Sequence, residues 1–187
     1  MGLIRPNLVI VTGMPRAGTT LMMHMIKSAG VETYGHPDTM ETENSILLPD
    51  NHKWLQDVRG AVKILNIGKH YPPPGDYKII WMKRDFDEQA RSTKKYMEQL
   101  LNQPAKKGWK TRYKKRIKEG TAKGLDKCEE LGDTYVQSFE GLLSGHIDQL
   151  ANFLGLDKDL MMKPVEERSG RCAVDFLEKK YYRGVWK

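Results

Sequence analysis

Apolar residues along this chain are concentrated in short continuous runs, with longer polar stretches between them. The two strongest runs are residues 8–12 and 77–83, which are rich in Ile, Val and Trp. Runs of this length and composition are typical of strands that are buried on both faces of a sheet. Weaker runs of the same kind predict three further strands, at residues 31–34, 61–66 and 133–138.

Segments with helical periodicity alternate with these strands. Gly30 and Gly155 come directly after two of them, as is common where helices end. The predicted helices cover residues 19–29, 85–102, 107–118 and 144–154, with weaker order at Gly120 and Gly124 and a helical turn at 52–59. Residues 35–51 are a polar stretch that is long enough for an active-site loop with its own short helix.

The alternation of strands and helices predicts the fold class. We expect an α/β protein with three layers, α/β/α, in which a mainly parallel central sheet is covered on both faces. In such folds the ligand binds at the carboxyl ends of the strands. The 187 residues contain no repeat, low-complexity tract or Pro/Gly-rich linker, so residues 1–187 are predicted to form a single domain.

A glycine-bounded loop follows the first predicted strand. Residues 9–21 read Val-Ile-Val-Thr-Gly-Met-Pro-Arg-Ala-Gly-Thr-Thr-Leu, which gives the spacing G-x-x-x-x-G-T-T from Gly13 onwards. This is the spacing of a P-loop, except that Thr19 stands where the nucleotide-binding lysine would be. Backbone N–H groups of such a loop bind an anion together with the positive end of the next helix. The sequence therefore predicts a P-loop-like phosphate-binding loop whose cation is Arg16.

Two motifs resemble those of the sulfotransferases that use 3'-phosphoadenosine 5'-phosphosulfate (PAPS). The loop residues 15–20, Pro-Arg-Ala-Gly-Thr-Thr, are similar to the family's 5'-phosphosulfate loop. Arg84 follows a buried strand and precedes Ser92 by eight residues, which is the separation of the Arg and Ser that hold the 3'-phosphate in that family. Residues 138–142 are a looser match to a further family segment. The chain most resembles small bacterial and phage sulfotransferase-like proteins.

The resemblance implies a function and a set of site residues. It implies a sulfotransferase that moves a sulfuryl group from PAPS to a hydroxyl or amine of an unknown acceptor, leaving adenosine 3',5'-bisphosphate (PAP). Arg16 would act at the leaving group, Lys63 would support the transferring group, and Arg84 with Ser92 would bind the 3'-phosphate. The implied 5'-phosphosulfate site consists of Arg16, Ala17, Gly18, Thr19 and Thr20.

Each of these side chains also has a simpler interpretation. Arg84 could instead pair with Asp87 or Glu88 on a helix surface, leaving Ser92 solvated. Lys63 could extend its ammonium group to solvent from the strand. His24, among the methionines of the first helix, is interpreted as a packed core residue.

The general base is the least determined residue. Cytosolic members of the family use a His after the third strand, but Leu65 occupies that position here and His70 lies further along the chain. Other branches use a Glu in the loop after the first helix. We therefore expect the base to be Glu43, then Glu41, then His36, unless all three are solvated loop residues.

The net charge of +7 is concentrated in one segment. Residues 105–127 contain ten Lys or Arg and two acidic residues, a net charge of 10 − 2 = +8, so the remainder has 7 − 8 = −1. Such a segment could bind an acidic small-molecule or glycan acceptor, cover PAPS, or be a solvated helix face. Its few aromatic residues and the absence of a nucleic-acid motif argue against nucleic acid.

The remaining composition predicts the compartment and leaves two other functions open. Cys128 and Cys172 are far apart and lack a neighbouring His cluster, so neither zinc nor a disulfide is expected. Without a signal-peptide pattern or a long apolar segment, we expect a cytoplasmic protein with no membrane span. A small kinase and a non-catalytic nucleotide-binding protein are the alternatives to a sulfotransferase.

Two arginines near the end of the sequence, Arg171 and Arg183, loosely resemble the element with which many sulfotransferases close over the nucleotide. Surface arginines without such a role are the simpler interpretation of both.

Overall fold

The central sheet contains five strands, all parallel, in the order β2-β3-β1-β4-β5. It is seen in a computed structural model that describes residues 8–100 and 102–168. Its register places Val11 between Lys63 and Ile80, and Gly13 beside Met82. The strands are β1 (Leu8–Gly13), β2 (Thr33–Tyr34), β3 (Ala61–Lys63), β4 (Tyr77–Lys83) and β5 (Gly132–Ser138).

Helices cover both faces of this sheet. Alternate residues of β1 point to opposite faces, so Val9 and Val11 join one apolar cluster with α1 and α6, while Leu8 and Ile10 join another with α3. The three-layer α/β/α fold is therefore confirmed. Within the described residues the helices are α1 (Thr19–Ser28), α2 (Phe86–Leu100), α3 (Trp109–Leu131), α4 (Phe139–Leu143), α5 (Asp148–Leu154) and α6 (Lys158–Arg168), with 3-10 helices at Glu43–Leu47 and Lys53–Gln56.

The predicted elements agree with the observed ones except at several boundaries. The third strand ends at Lys63 rather than at residue 66, because Asn66 has a left-handed backbone (φ 55°) and donates its N–H to Gly13 O. The predicted helix at 144–154 is shorter, and the separate helix α4 precedes it. Helix α6 was not predicted. Arg171, Cys172 and Arg183 lie outside the described residues.

The predicted weaker order of the basic segment at Gly120 and Gly124 is not observed. Helix α3 continues without a break through Gly120 and Gly124. Both glycines face the protein: a Cβ on Gly124 would overlap the Trp81 indole, and one on Gly120 would lie 2.6 Å from Met14 Cε. Glycine is present here because the helix packs closely against its neighbours, and this packing offsets its low helix propensity.

We expect alanine at these two glycines to have different effects on stability. Gly124→Ala should lower the free energy of unfolding by about 1–3 kcal/mol, because the buried Trp81 ring cannot move aside. Gly120→Ala meets only the flexible end of Met14, so a gain in helix propensity of about 1 kcal/mol should roughly cancel the crowding. Urea unfolding of both variants measures the difference. Equal losses would contradict this account of the packing.

Candidate functional site

The phosphate-binding loop turns sharply between β1 and α1. Gly13 has φ 149°, and a Cβ there would lie 2.7 Å from Met82 O. Gly18 has φ 100°, and a Cβ there would overlap the Phe139 ring. Both positions therefore require glycine. Between them, Arg16 has an unusual left-handed backbone with φ 70°, which is common where a loop is shaped for a ligand.

The start of α1 is suited to an anion. Gly18 provides no side chain to cap the helix, and the first turn contains no acidic residue. The first N–H groups of a helix have no partner within it, and they carry the positive end of the helix dipole. Thr20 adds a hydroxyl that donates to Thr39 O at 3.3 Å. The loop and helix together can therefore bind a phosphate or sulfate group.

Arg84 and Ser92 both form hydrogen bonds with Arg16 of the loop. Arg16 Nε donates to Ser92 Oγ at 3.1 Å, and Arg84 donates from its guanidinium to Arg16 O at 3.2 Å. Ser92 is buried, with 7% of its surface exposed. The simpler interpretation is not observed, since Asp87 binds Lys110 and Lys114, and Glu88 binds Arg91. Arg84 and Ser92 thus contact the same residue, Arg84 at the backbone carbonyl of Arg16 and Ser92 at its side chain.

Two aromatic rings contact these guanidinium groups. Arg84 lies over the Phe139 ring at 4.6 Å, and Arg16 lies over the Tyr96 ring at 5.5 Å. Such contacts fix a guanidinium without neutralising it. Phe139 also packs on Gly18, so this single side chain contacts both the loop and Arg84.

Arg84 is an incompletely satisfied cation. Burial lowers its pKa, Glu88 raises it, and the nearby charge of Arg16 lowers it further. Its Nε and Thr12 Oγ1 are buried side-chain atoms that have no hydrogen-bond partner within the described residues. An anion that accepted a hydrogen bond from this group would relieve both its desolvation and its repulsion from Arg16.

Lys63 lies on the other side of the loop and is almost completely buried, at 2% exposure. Its Nζ donates to Thr39 O at 2.5 Å, to Glu41 Oε1 at 2.9 Å and to Thr20 Oγ1 at 3.0 Å. The interpretation that this lysine extends to solvent was therefore wrong. Burial lowers its pKa, the ion pair with Glu41 raises it, and the charge of Arg16 lowers it.

The candidate bases have different contacts, and Glu41 is the one that contacts this lysine. Glu41 is partly exposed and forms the ion pair with Lys63, whereas Glu43 is exposed at the beginning of the Glu43–Leu47 helix. His36 Nδ1 accepts from Asp38 N, and His70 Nδ1 lies 3.3 Å from Leu48 O. His24 is half-buried, with Nε2 3.3 Å from Asp38 O, rather than fully packed in the core. Of these candidates, Glu41 is thus the one that contacts Lys63, and which of them is the base stays a prediction.

Three further groups of the site were not identified from the sequence. The first is the carbonyl oxygen of Thr39, which accepts a hydrogen bond from Lys63. The second is Gln89, which donates to Pro15 O at 2.6 Å. The third is Phe139, whose ring lies under Arg84. Gln89 lies one helical turn before Ser92 on the buried face of α2, so helical periodicity around Ser92 could have identified it. Phe139 is in the segment that matched the family only loosely. The carbonyl of Thr39 has no sequence signal.

Comparison with known proteins gives a likeness among solved structures but none among protein sequences. No protein-family model matches the sequence, and no curated protein matches it. Among solved structures, the chain is similar to retinol dehydratase in a complex with retinol and PAP, with a TM-score of 0.46 and 16% identity. The match covers 87% of this chain and 64% of that one, so this chain spans less than two thirds of that protein's length. At this identity the likeness concerns the fold and identifies no residue of the site.

The described residues have neither of two features that would indicate another kind of site. No helix within residues 8–100 and 102–168 is long and apolar enough to cross a membrane. In the same part of the chain, no three His, Cys, Asp or Glu side chains lie together as a metal site would require.

We expect the buried Lys63 to make stability depend on pH. The pKa of Lys63 is lower in the folded protein than its ordinary value of 10.5. At a pH between these two pKa values, the unfolded chain binds more protons than the folded one. The free energy of unfolding therefore rises with pH in this range. The free energy of unfolding of the wild type should therefore increase relative to Lys63→Met as the pH rises from 7 to 10. Urea unfolding at several pH values measures this. Lys27→Met is the control, because Lys27 is exposed: its free energy of unfolding should differ from that of the wild type by the same amount at every pH. If the difference between the wild type and Lys63→Met is also independent of pH, the prediction is wrong.

Proposed function

We propose that this protein is a sulfotransferase that transfers a sulfuryl group from PAPS to a hydroxyl or amine of an acceptor. The observation that carries the proposal is that Arg84 and Ser92 both bind Arg16, within a loop that has P-loop spacing but lacks the P-loop lysine. A guanidinium and a hydroxyl in this arrangement suit a phosphate monoester. Arg84 Nε, which has no hydrogen-bond partner among the residues that the structure describes, supports an anion at this point.

The two sides of the loop would then have different tasks. Arg84 and Ser92 would hold the 3'-phosphate, beside the Arg16 side chain that extends from the loop to Ser92. The backbone N–H groups of residues 18–20 would hold the 5'-phosphosulfate. Ala17 N–H, which donates to Met14 O, and the Thr20 hydroxyl, which donates to Thr39 O, would join them on exchanging these partners for the ligand. Lys63, which already contacts Thr20, would place its positive charge beside the transferring group. This arrangement leaves the acceptor to approach from the side of Glu41.

The reaction requires positive charge at the leaving group and a base for the acceptor. PAPS supplies the activated sulfuryl group. The acceptor oxygen or nitrogen forms a bond to sulfur, the bond from sulfur to the 5'-phosphate oxygen breaks, and its electron pair leaves on that oxygen. Lys63 and Arg16 would stabilise this charge. Glu41 would take the acceptor's proton, because it is held near Thr20 by its ion pair with Lys63.

Calorimetry with four nucleotides, PAP, AMP, ADP and ATP, tests the proposal. We expect PAP to bind most tightly. Tightest binding of ATP with magnesium, together with ATP turnover, would instead indicate a small kinase. Tight binding of PAP without transfer to any acceptor would indicate a non-catalytic nucleotide-binding protein.

We expect Arg84→Ala to abolish most of the preference for PAP over AMP. A charge-assisted contact contributes about 1.5–3 kcal/mol, so PAP affinity should fall about tenfold to a hundredfold while AMP affinity changes little. Arg91→Ala is the matched control, because Arg91 is exposed and pairs with Glu88. Equal affinity of the wild type for PAP and AMP would refute the 3'-phosphate assignment.

We expect Glu41→Gln to reduce the turnover rate by about 100-fold to 10,000-fold, the usual effect of removing a general base. PAP affinity should change little, because the amide oxygen can still accept from Lys63. Glu43→Gln is the control and should retain most activity. If Glu43→Gln, His36→Ala or His70→Ala loses turnover while Glu41→Gln keeps it, the base is not Glu41.

A further inference from the structure

Phe139 lies where two neighbouring strands of the sheet end. Strands β4 and β5 are parallel, and their register pairs Lys83 with Ser138. The residues that follow this pair are Arg84 and Phe139, so the register brings them close to each other. The Phe139 ring is partly buried and packs on the apolar cluster that contains α1. Pairing of the strands thus delivers an aromatic ring to the cation that follows β4.

The backbone around this ring is held on both strands. Ser138 Oγ caps α4 by accepting a 3.0 Å hydrogen bond from a backbone N–H of that helix. Glu140 Oε1 accepts from the backbone N–H of Asp85 at 3.1 Å. The residue after Phe139 therefore holds the residue after Arg84. These contacts fix the end of β4 relative to the beginning of α4.

The Phe139 ring contacts two parts of the candidate site. The Arg84 guanidinium carbon lies 4.6 Å from the centre of the ring. The same ring covers Gly18 so closely that a Cβ there would overlap it. Gly18 directly precedes α1, at the proposed 5'-phosphosulfate site, whereas Arg84 is proposed to bind the 3'-phosphate. The ring therefore contacts a residue of each proposed anion site.

The contact with the ring suits the condition of Arg84. Its side chain is half-buried and lies near the charge of Arg16, and its Nε has no hydrogen-bond partner within the described residues. A cation in this position gains free energy by turning toward solvent. An aromatic ring attracts a guanidinium through its π face and leaves the N–H donors available for other acceptors. The ring can therefore hold Arg84 in place while its Nε–H stays ready for a ligand.

We propose that Phe139 is a positioning residue, which holds Arg84 for the 3'-phosphate and so sets the preference for PAP over AMP. The inference rests on the proposed function for the identity of the nucleotide. An arginine that is already in place loses less conformational entropy when it binds, and this raises affinity. The gain is confined to ligands with a 3'-phosphate, because AMP has no group for Arg84 to bind.

Calorimetry of Phe139→Leu with PAP and with AMP tests this proposal. Leucine keeps an apolar side chain on Gly18 but removes the π face under Arg84. PAP affinity should fall about threefold to tenfold, whereas AMP affinity should change less than twofold. Phe139→Tyr keeps the ring and should retain the wild-type preference for PAP.

Phe153→Leu is the matched control. The Phe153 ring also lies by a cation, with Lys78 Nζ 5.6 Å from its centre. Lys78 is near the beginning of β4, six residues before Arg84, which is about 20 Å along the strand. This variant removes the same kind of contact away from the site, so both nucleotide affinities should stay within twofold of the wild type. Circular dichroism confirms that each variant is folded.

A double-mutant cycle separates positioning of Arg84 from general support of the fold. If the ring acts through Arg84, adding Phe139→Leu to Arg84→Ala should change PAP affinity less than twofold. A ring that only supports the fold would produce the same loss of PAP affinity in the presence and in the absence of Arg84.

Three results would overturn the inference alone, in a wild type that does prefer PAP. The first is a Phe139→Leu variant that keeps this preference. The second is a loss of PAP and AMP affinity by the same factor, which would show that the ring supports only the loop. The third is an equal loss in both backgrounds of the cycle. Equal binding of PAP and AMP by the wild type would instead refute the nucleotide assignment, and the inference with it.

Discussion

The site depends on the position of β1 between β3 and β4. Because the strands are parallel, their carboxyl ends lie at the same edge of the sheet, and the register pairs Val11 with Lys63 and Gly13 with Met82. The phosphate-binding loop therefore emerges with Lys63 on one side and Arg84 on the other. Residues that are far apart in sequence become neighbours through backbone pairing alone.

Burial of positive charge is the main energetic cost of this arrangement. Lys63 and Arg84 both have their pKa lowered by desolvation and by the charge of Arg16. Glu41 is the carboxylate that contacts Lys63, and it is itself partly exposed. Buried like charges that are incompletely paired destabilise a fold, and sites that bind ligands commonly carry this cost. A bound dianion would offset it.

The sequence indicates most about the parts of the candidate site that have a fixed spacing, although their binding roles stay predictions. The loop from Gly13 to Thr20 and the pair of Arg84 and Ser92 could be found because a strand followed by a helix fixes their geometry locally. The choice between Glu41 and Glu43 could not, because it depends on a loop in which Met40 has φ 55°. Helix α3 shows the same limit: glycine propensity indicated weak order, but tertiary packing on Trp81 determines the outcome.

Two cations outside the loop stand in for the missing P-loop lysine. Thr19, at that position, is buried beneath the loop with 5% exposure, so the loop itself carries only the cation of Arg16. Positive charge comes instead from β3 through Lys63 and from the end of β4 through Arg84. The register of the sheet fixes the positions of these two cations relative to each other. Their separation, set by the sheet, would then select for a ligand with two anionic groups at a matching distance.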